Sequence, residues 1–185
     1  PSVESENNKA LLAQEDLGWL GKINQSVTAA YGPKPLVFDQ FDVLEPYRQQ
    51  IIDSLPESIK KFSVNMTAQI AKGGDYIQPH RDHNRKCGLF FSVSAPDCET
   101  VWYSKKDNFR EFSTLRFAFP EDLKVECRTI IQKGKWYLFN NEPFHSVHRL
   151  PGKLANRISF VIDFRDLGYQ EVIDCGLLDG IRIID

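Results

Sequence analysis

The sequence predicts a mainly β protein with flanking helices. Near residue 62 the spacing of apolar residues changes from the helical period of about 3.6 to the strand period of 2. Beyond that point short strand-like runs follow one another to about residue 165. Two helical segments stand ahead of them, which makes the order helices first, then strands.

Residues 8–20 place Ala10, Leu11, Leu12, Leu17 and Leu20 on a rough one-sided stripe, the mark of an amphipathic helix. Tyr31-Gly32-Pro33-Lys34-Pro35 interrupts it. A second helix is expected over 44–55, with Pro46 in its first turn, where a missing N–H costs little, and Pro56 at its end. Its buried stripe would be Tyr47, Ile51, Ile52 and Leu55. From residue 64 on, Val64, Met66, Ala68 and Ile70 alternate with Asn65, Thr67 and Gln69, as in a half-buried strand, and Lys72-Gly73-Gly74-Asp75 follows as a turn. Further strands are expected at 76–82, 87–95, 99–104, 115–119, 125–131, 135–139, 144–149 and 157–165. Many short strands with helices packed outside suit a double-stranded β-helix, a cupin-like jelly roll. No internal repeat or low-complexity tract divides the chain, so residues 1–185 read as one domain. Its parts are a helical portion of about 1–60, a β core of about 62–165 and an extension over 166–185.

With 185 residues, 42% hydrophobic and 26% charged, the composition is that of an ordinary globular protein. A formal charge of −2 gives no basic footprint, so nucleic acid is not the expected partner. No apolar run approaches a membrane span, and residues 1–14 are polar rather than basic and then apolar. The expectation is a cytoplasmic protein without a membrane partner. Cys87, Cys98, Cys127 and Cys175 are scattered with no CxxC pair, which speaks against a zinc–thiolate site and for small buried thiols.

All four histidines fall in two clusters, His80 with His83 and His145 with His148. If 78–82 is extended, His80 and Asp82 point to the same side, because side chains on a strand repeat every two residues. His83 then faces away. A histidine from the second cluster completes a two-histidine, one-carboxylate set, whose open positions suit a non-haem Fe(II) and an oxygenase. His145 and His148 are three apart and face opposite sides of a strand, so one of them is the third ligand; spacing leaves open which.

Three runs carry a resemblance: His80-Arg81-Asp82; Phe139-Asn140-Asn141-Glu142-Pro143-Phe144-His145-Ser146-Val147-His148; and Asn156-Arg157-Ile158-Ser159-Phe160-Val161-Ile162-Asp163. In order and spacing they resemble the Fe(II)- and 2-oxoglutarate-dependent oxygenases, in particular the aspartyl/asparaginyl β-hydroxylase-like branch. The resemblance spans about residues 64–165. It implies His80, Asp82 and His145 as catalytic metal ligands, O2 and 2-oxoglutarate as co-substrates, and Arg157 as the partner of the far carboxylate of 2-oxoglutarate. A guanidinium suits that task because its planar fork meets a carboxylate with two donors and stays charged. Arg157, Ser159, Val161 and Asp163 share one strand face, which allows Ser159 to add a hydroxyl to the same carboxylate. The founding members of that branch lack the carboxylate ligand that Asp82 supplies here, so the likeness leaves the substrate open among amino acid, peptide or protein side chain, and small metabolite.

Two further residues are candidate substrate contacts. Arg85 stands at the mouth of the expected site, where the plainer reading is a solvated loop charge, and Trp102 lies in a strand-like run where aromatic residues are more often core. Two other readings of the whole chain are a cupin-type metal enzyme that does not use 2-oxoglutarate and a non-enzymatic β-sandwich binding module.

Overall fold

The computed structural model describes residues 37–43, 45–53, 55, 57–60, 63–72, 76–82, 85–94, 98–110, 117–150, 156–164, 166–175 and 181–183. The helix expected over 8–20, the turn at 31–35 and His83 lie outside them. The described strands are β1 (Val37–Asp42), β2 (Ser63–Lys72), β3 (Tyr76–His80), β4 (Cys87–Ser94), β5 (Cys98–Lys105), β6 (Leu123–Ile130), β7 (Trp136–Asn140), β8 (Phe144–Arg149), β9 (Arg157–Phe164) and β10 (Ile181–Ile183). Helices α1 (Glu45–Asp53) and α2 (Glu57–Lys60) precede β2, and α3 (Tyr169–Asp174) follows β9.

From β2 to β9 the strands pair as a nest: β5 with β6, β4 with β7, β3 with β8 and β2 with β9, all antiparallel. The chain is therefore one long hairpin ribbon, coiled so that its turns also pair edge to edge, β4 with β9 and β5 with β8. Coiling sends alternate segments of the ribbon to two sheets, a six-stranded one in the order β1-β2-β9-β4-β7-β10 and a four-stranded one in the order β3-β8-β5-β6. This is the double-stranded β-helix of the cupin-like jelly roll, as expected.

In the middle of the larger sheet β4 is covered on both faces, which explains its unbroken apolar run. Met66, Leu89, Leu138, Ile162 and Phe164 face outward and are sealed by Ile51 and Leu55 of the α1 segment and by Val172 of α3. Phe90, Tyr137, Phe139 and Val161 face inward and meet Trp102 of the smaller sheet. Beyond β5, Arg110 fastens the connecting segment by donating to Asp122 at 2.6 and 2.9 Å. In the turn before β7, Gly134 takes φ +71°, where a side chain is disfavoured.

Five local expectations are corrected. Residues 37–42 belong to a strand, not to a helical portion, because their backbone completes the edge of the larger sheet against β2. The extension returns to the fold through β10, which pairs in parallel with β7. Of the strand expected over 115–119, the described residues show a lone bridge from Phe117 to His80, with Ala118 and Phe119 outside any ladder. Tyr47 is 60% exposed, so the stripe of α1 is narrower than its apolar residues suggest. Finally, β2 is not half-buried: Thr67 and Gln69, on its polar face, are buried at 7% exposure, and Met66, on its apolar one, at 1%. The polar face of β2 is the one that looks into the barrel.

Candidate metal centre

The centre is built across the β3–β8 ladder. Ile77 pairs with Val147, but the next pair is His80 with His145, so β3 carries one residue more than β8 between them. The extra residue makes a bulge at Gln78-Pro79, and Pro79 suits it because it has no N–H to give the ladder. In a regular ladder Pro79 would oppose His145 and His80 would turn outward. The bulge restores His80 to the inner side, beside Ile77 and Val147, and Asp82, two residues on, follows it inward.

His80, Asp82 and His145 each offer a ligand atom, all within 4.8 Å of one another. Nδ1 of His80 lies 2.8 Å from the Gln78 carbonyl, and Nδ1 of His145 lies 3.1 Å from the Pro143 carbonyl. Each imidazole therefore donates from Nδ1 and turns its Nε2 to the centre, the usual orientation of a metal-bound histidine. Nε2 of His80 stands 4.0 Å from Oδ1 of Asp82. Burial, together with the neighbouring His80, draws the His145 pKa down to about 4, so it is neutral at pH 7. Burial pushes the Asp82 carboxyl up, but Arg85 and the two imidazoles outweigh it and leave the pKa at about 2. Both groups are in the protonation state a cation requires.

His148 lies on the other face of β8. Its Nε2 stands 2.5 Å from Ser146 Oγ and 3.4 Å from the Tyr103 hydroxyl, away from His80 and Asp82. The choice that spacing left open falls geometrically on His145.

The same cavity holds Arg157, which is 6% exposed. Its guanidinium carbon lies 4.5 Å from the centre of the Phe90 ring, and no carboxylate among the described residues pairs with it. Burial lowers its pKa to about 10, the sign of a cation short of counter-charge. Ser159 is buried one inward position further along β9, between Gln69 of β2 and Ser92 of β4.

Arg85 lines the cavity too, but it is no solvated loop charge: Nε donates to Asp82 Oδ2 at 2.5 Å and Nη1 to Asp163 Oδ1 at 2.8 Å. Trp102 stands one layer behind the cavity wall, its ring tilted by 49° against that of Phe139 with centroids 4.9 Å apart, and its indole N–H given to the Asn140 carbonyl. It is a core side chain, not a wall of the cavity. Sequence reasoning missed Gln69 and Asn141, which line the cavity, are 7% and 4% exposed, and have no partner for their carboxamides among the described residues. The available signal was the polar half of the β2 alternation, which reads equally well as a solvated face. None of the four cysteines, all among the described residues, is in a disulfide, and burial pushes the Cys87 thiol up to about 12, so no thiolate competes as ligand there. No helix among the described residues is long and apolar enough to cross a membrane.

No family model matches this chain, and no curated protein matches it. Solved structures do. An oxalate oxidase in complex with glycolate is 12% identical, with a TM-score of 0.41, over 74% of this chain and 54% of that one. L-ribose isomerase from Acinetobacter sp. DL28, with L-ribose, is 15% identical with a TM-score of 0.39, over 71% and 61%. A cupin-like protein from Thermotoga maritima is 9% identical with a TM-score of 0.36, over 71% and 69%. The chain thus spans about half the length of the oxalate oxidase it matches. The assignment of the fold rests on the nested strand pairing of the chain itself.

Proposed function

We propose that the protein is a non-haem Fe(II)- and 2-oxoglutarate-dependent oxygenase that hydroxylates an unactivated C–H bond of an amino acid, a peptide or protein side chain, or a small metabolite. In this reading His80, Asp82 and His145 hold the metal. Two imidazoles and one carboxylate suit Fe(II), and three protein ligands leave positions for other molecules. Bound iron, with 2-oxoglutarate and O2, supplies the oxidation of the C–H bond, with succinate and CO2 as co-products.

The chain's own residues supply the rest. Arg157 receives the far carboxylate of 2-oxoglutarate, with Ser159 beside it. Phe90, Phe139 and Val161 line the cavity with apolar surface that excludes water. Gln69 and Asn141 offer carboxamides to whichever polar groups enter.

One observation carries the choice of 2-oxoglutarate: a buried guanidinium without a carboxylate partner among the described residues, in the same cavity as the His-Asp-His cluster. An unpaired buried charge is costly, and an anionic ligand removes the cost. A metal enzyme that does not use 2-oxoglutarate has no need of it. The test is anaerobic titration of the Fe(II)- or Mn(II)-loaded protein with 2-oxoglutarate, followed by succinate release in air. Saturable binding in the micromolar range supports the reading. Metal uptake without 2-oxoglutarate binding would return the chain to the cupin-type metal enzymes, and no metal uptake to a binding module.

A further inference from the structure

The segment between β3 and β4 carries a chain of charges that the proposed reaction does not use. Asp82 divides its two carboxylate oxygens. Oδ1 lies on the His80 side, 4.0 Å from Nε2, and Oδ2 is held by Arg85 Nε at 2.5 Å. Arg85 reaches back with Nη1 to Asp163, 2.8 Å away, on the inward face of β9. Gly88 stands opposite Asp163 in the ladder; a Cβ there would press on the Ile162 carbonyl at 3.0 Å and touch Asp163 Oδ1 at an ordinary 3.7 Å.

We propose that Arg85, anchored by Asp163, is a positioning residue that keeps the metal carboxylate one-handed: with Oδ2 engaged, Asp82 can offer a metal Oδ1 alone. The inference rests on the metal-centre reading above. A free carboxylate on a flexible segment readily closes on a cation with both oxygens. Bidentate binding would take a fourth position on an octahedral metal and leave two. Three are needed where a chelating oxoacid occupies two and a further small molecule one. The Arg85–Asp163 pair is thus what keeps the last position available. It also fixes the orientation of Asp82 by tying a connecting segment to the middle of the larger sheet, as outer hydrogen-bond partners of metal ligands do.

The experiment uses the full chain loaded with Mn(II), and reads two quantities: the Mn(II) dissociation constant and the number of metal-bound waters, from water-proton relaxation. The wild-type protein should hold three waters. Arg85→Leu should hold two and bind Mn(II) about 10-fold more weakly. Asp163→Asn should shift both quantities in the same direction, and it serves as the second variant should Arg85→Leu fail to fold, as judged by circular dichroism. Arg85→Lys, with a single ammonium nitrogen in place of a fork that spans both carboxylates, should hold fewer than three waters on average. Unchanged water number and affinity in the folded variants would overturn the proposal while leaving the metal centre intact. Failure of the wild-type chain to take up Mn(II) would remove the metal centre itself, and this inference with it.

Discussion

His80 and His145 are register partners across the β3–β8 ladder, their ring centroids 4.4 Å apart and their planes at 54°. Two imidazoles in that position, each with Nδ1 bonded to a carbonyl two residues behind it, leave their Nε2 atoms without a hydrogen bond among the described residues and open to a cation. His80→Ala and His145→Ala should each weaken divalent-metal binding by about 100-fold or more, measured as metal retained after gel filtration. His148→Ala should retain the metal, because its ring bonds to Ser146 on the opposite face of β8. Equal losses in His145→Ala and His148→Ala would refute the assignment.

Arg157 separates stability from binding. Replacing it by Met removes a buried charge with no carboxylate partner among the described residues and keeps much of the contact with Phe90. The metal-free variant should be as stable as the parent or more so, by about 1 kcal/mol, while 2-oxoglutarate binding falls at least about 100-fold and metal affinity holds. Isothermal titration and urea denaturation test the two halves independently. A large loss of stability would point to a structural partner for the guanidinium.

Acid should destabilise the metal-free fold in two stages. His145 and His148 are both drawn by burial to about 4, below the ordinary imidazole value of 6.5. Between pH 6.5 and 4 the unfolded chain therefore binds more protons than the folded one, and stability falls as pH falls. Asp82, at about 2 against 3.8, extends the loss below pH 4, since its contribution is present above the unfolded value and disappears as pH approaches the folded one. Above pH 6.5 these three groups contribute no slope. Urea midpoints at pH 7.5, 5.5 and 4.5 would show it, and His148→Gln should reduce the slope between pH 6.5 and 4 without touching the ligand set.

Gly88→Ala should cost about 1–2 kcal/mol, since the added methyl meets the Ile162 carbonyl at 3.0 Å in a ladder closed on both sides. Thermal melting gives the stability. The same methyl lies 3.7 Å from Asn141 Nδ2 and Asp163 Oδ1, ordinary contact distances, so the folded variant should keep its metal affinity. A stable variant would mean that β4 and β9 can part without strain.

Much of the centre was legible in the sequence because it depends on parity. His80 and Asp82 share a face since they are two apart, and Arg157, Ser159, Val161 and Asp163 share another for the same reason. What depends on distant pairing was not legible. Arg85 reads as a solvated loop charge until Asp163, 78 positions away, is folded against it. The strand at 37–42 has no strong alternation of its own and is fixed by β2. Gln69 and Thr67 look like a wet face because polar residues in a strand usually are one, and nothing local says that this strand turns its polar side to a cavity.

The extra residue at Gln78-Pro79 makes the phase of His80 a matter of chain length rather than of chemistry. Straightening the bulge without shortening the chain would leave all three candidate ligands in place by identity and turn the imidazole to the wrong side of the wall, whereas deleting one of the two residues would give a regular ladder with the imidazole still inside, opposite His145. A comparison that scores only matching letters across this stretch would miss the distinction: with two residues between Ile77 and His80 the kink is required, and with one it is not.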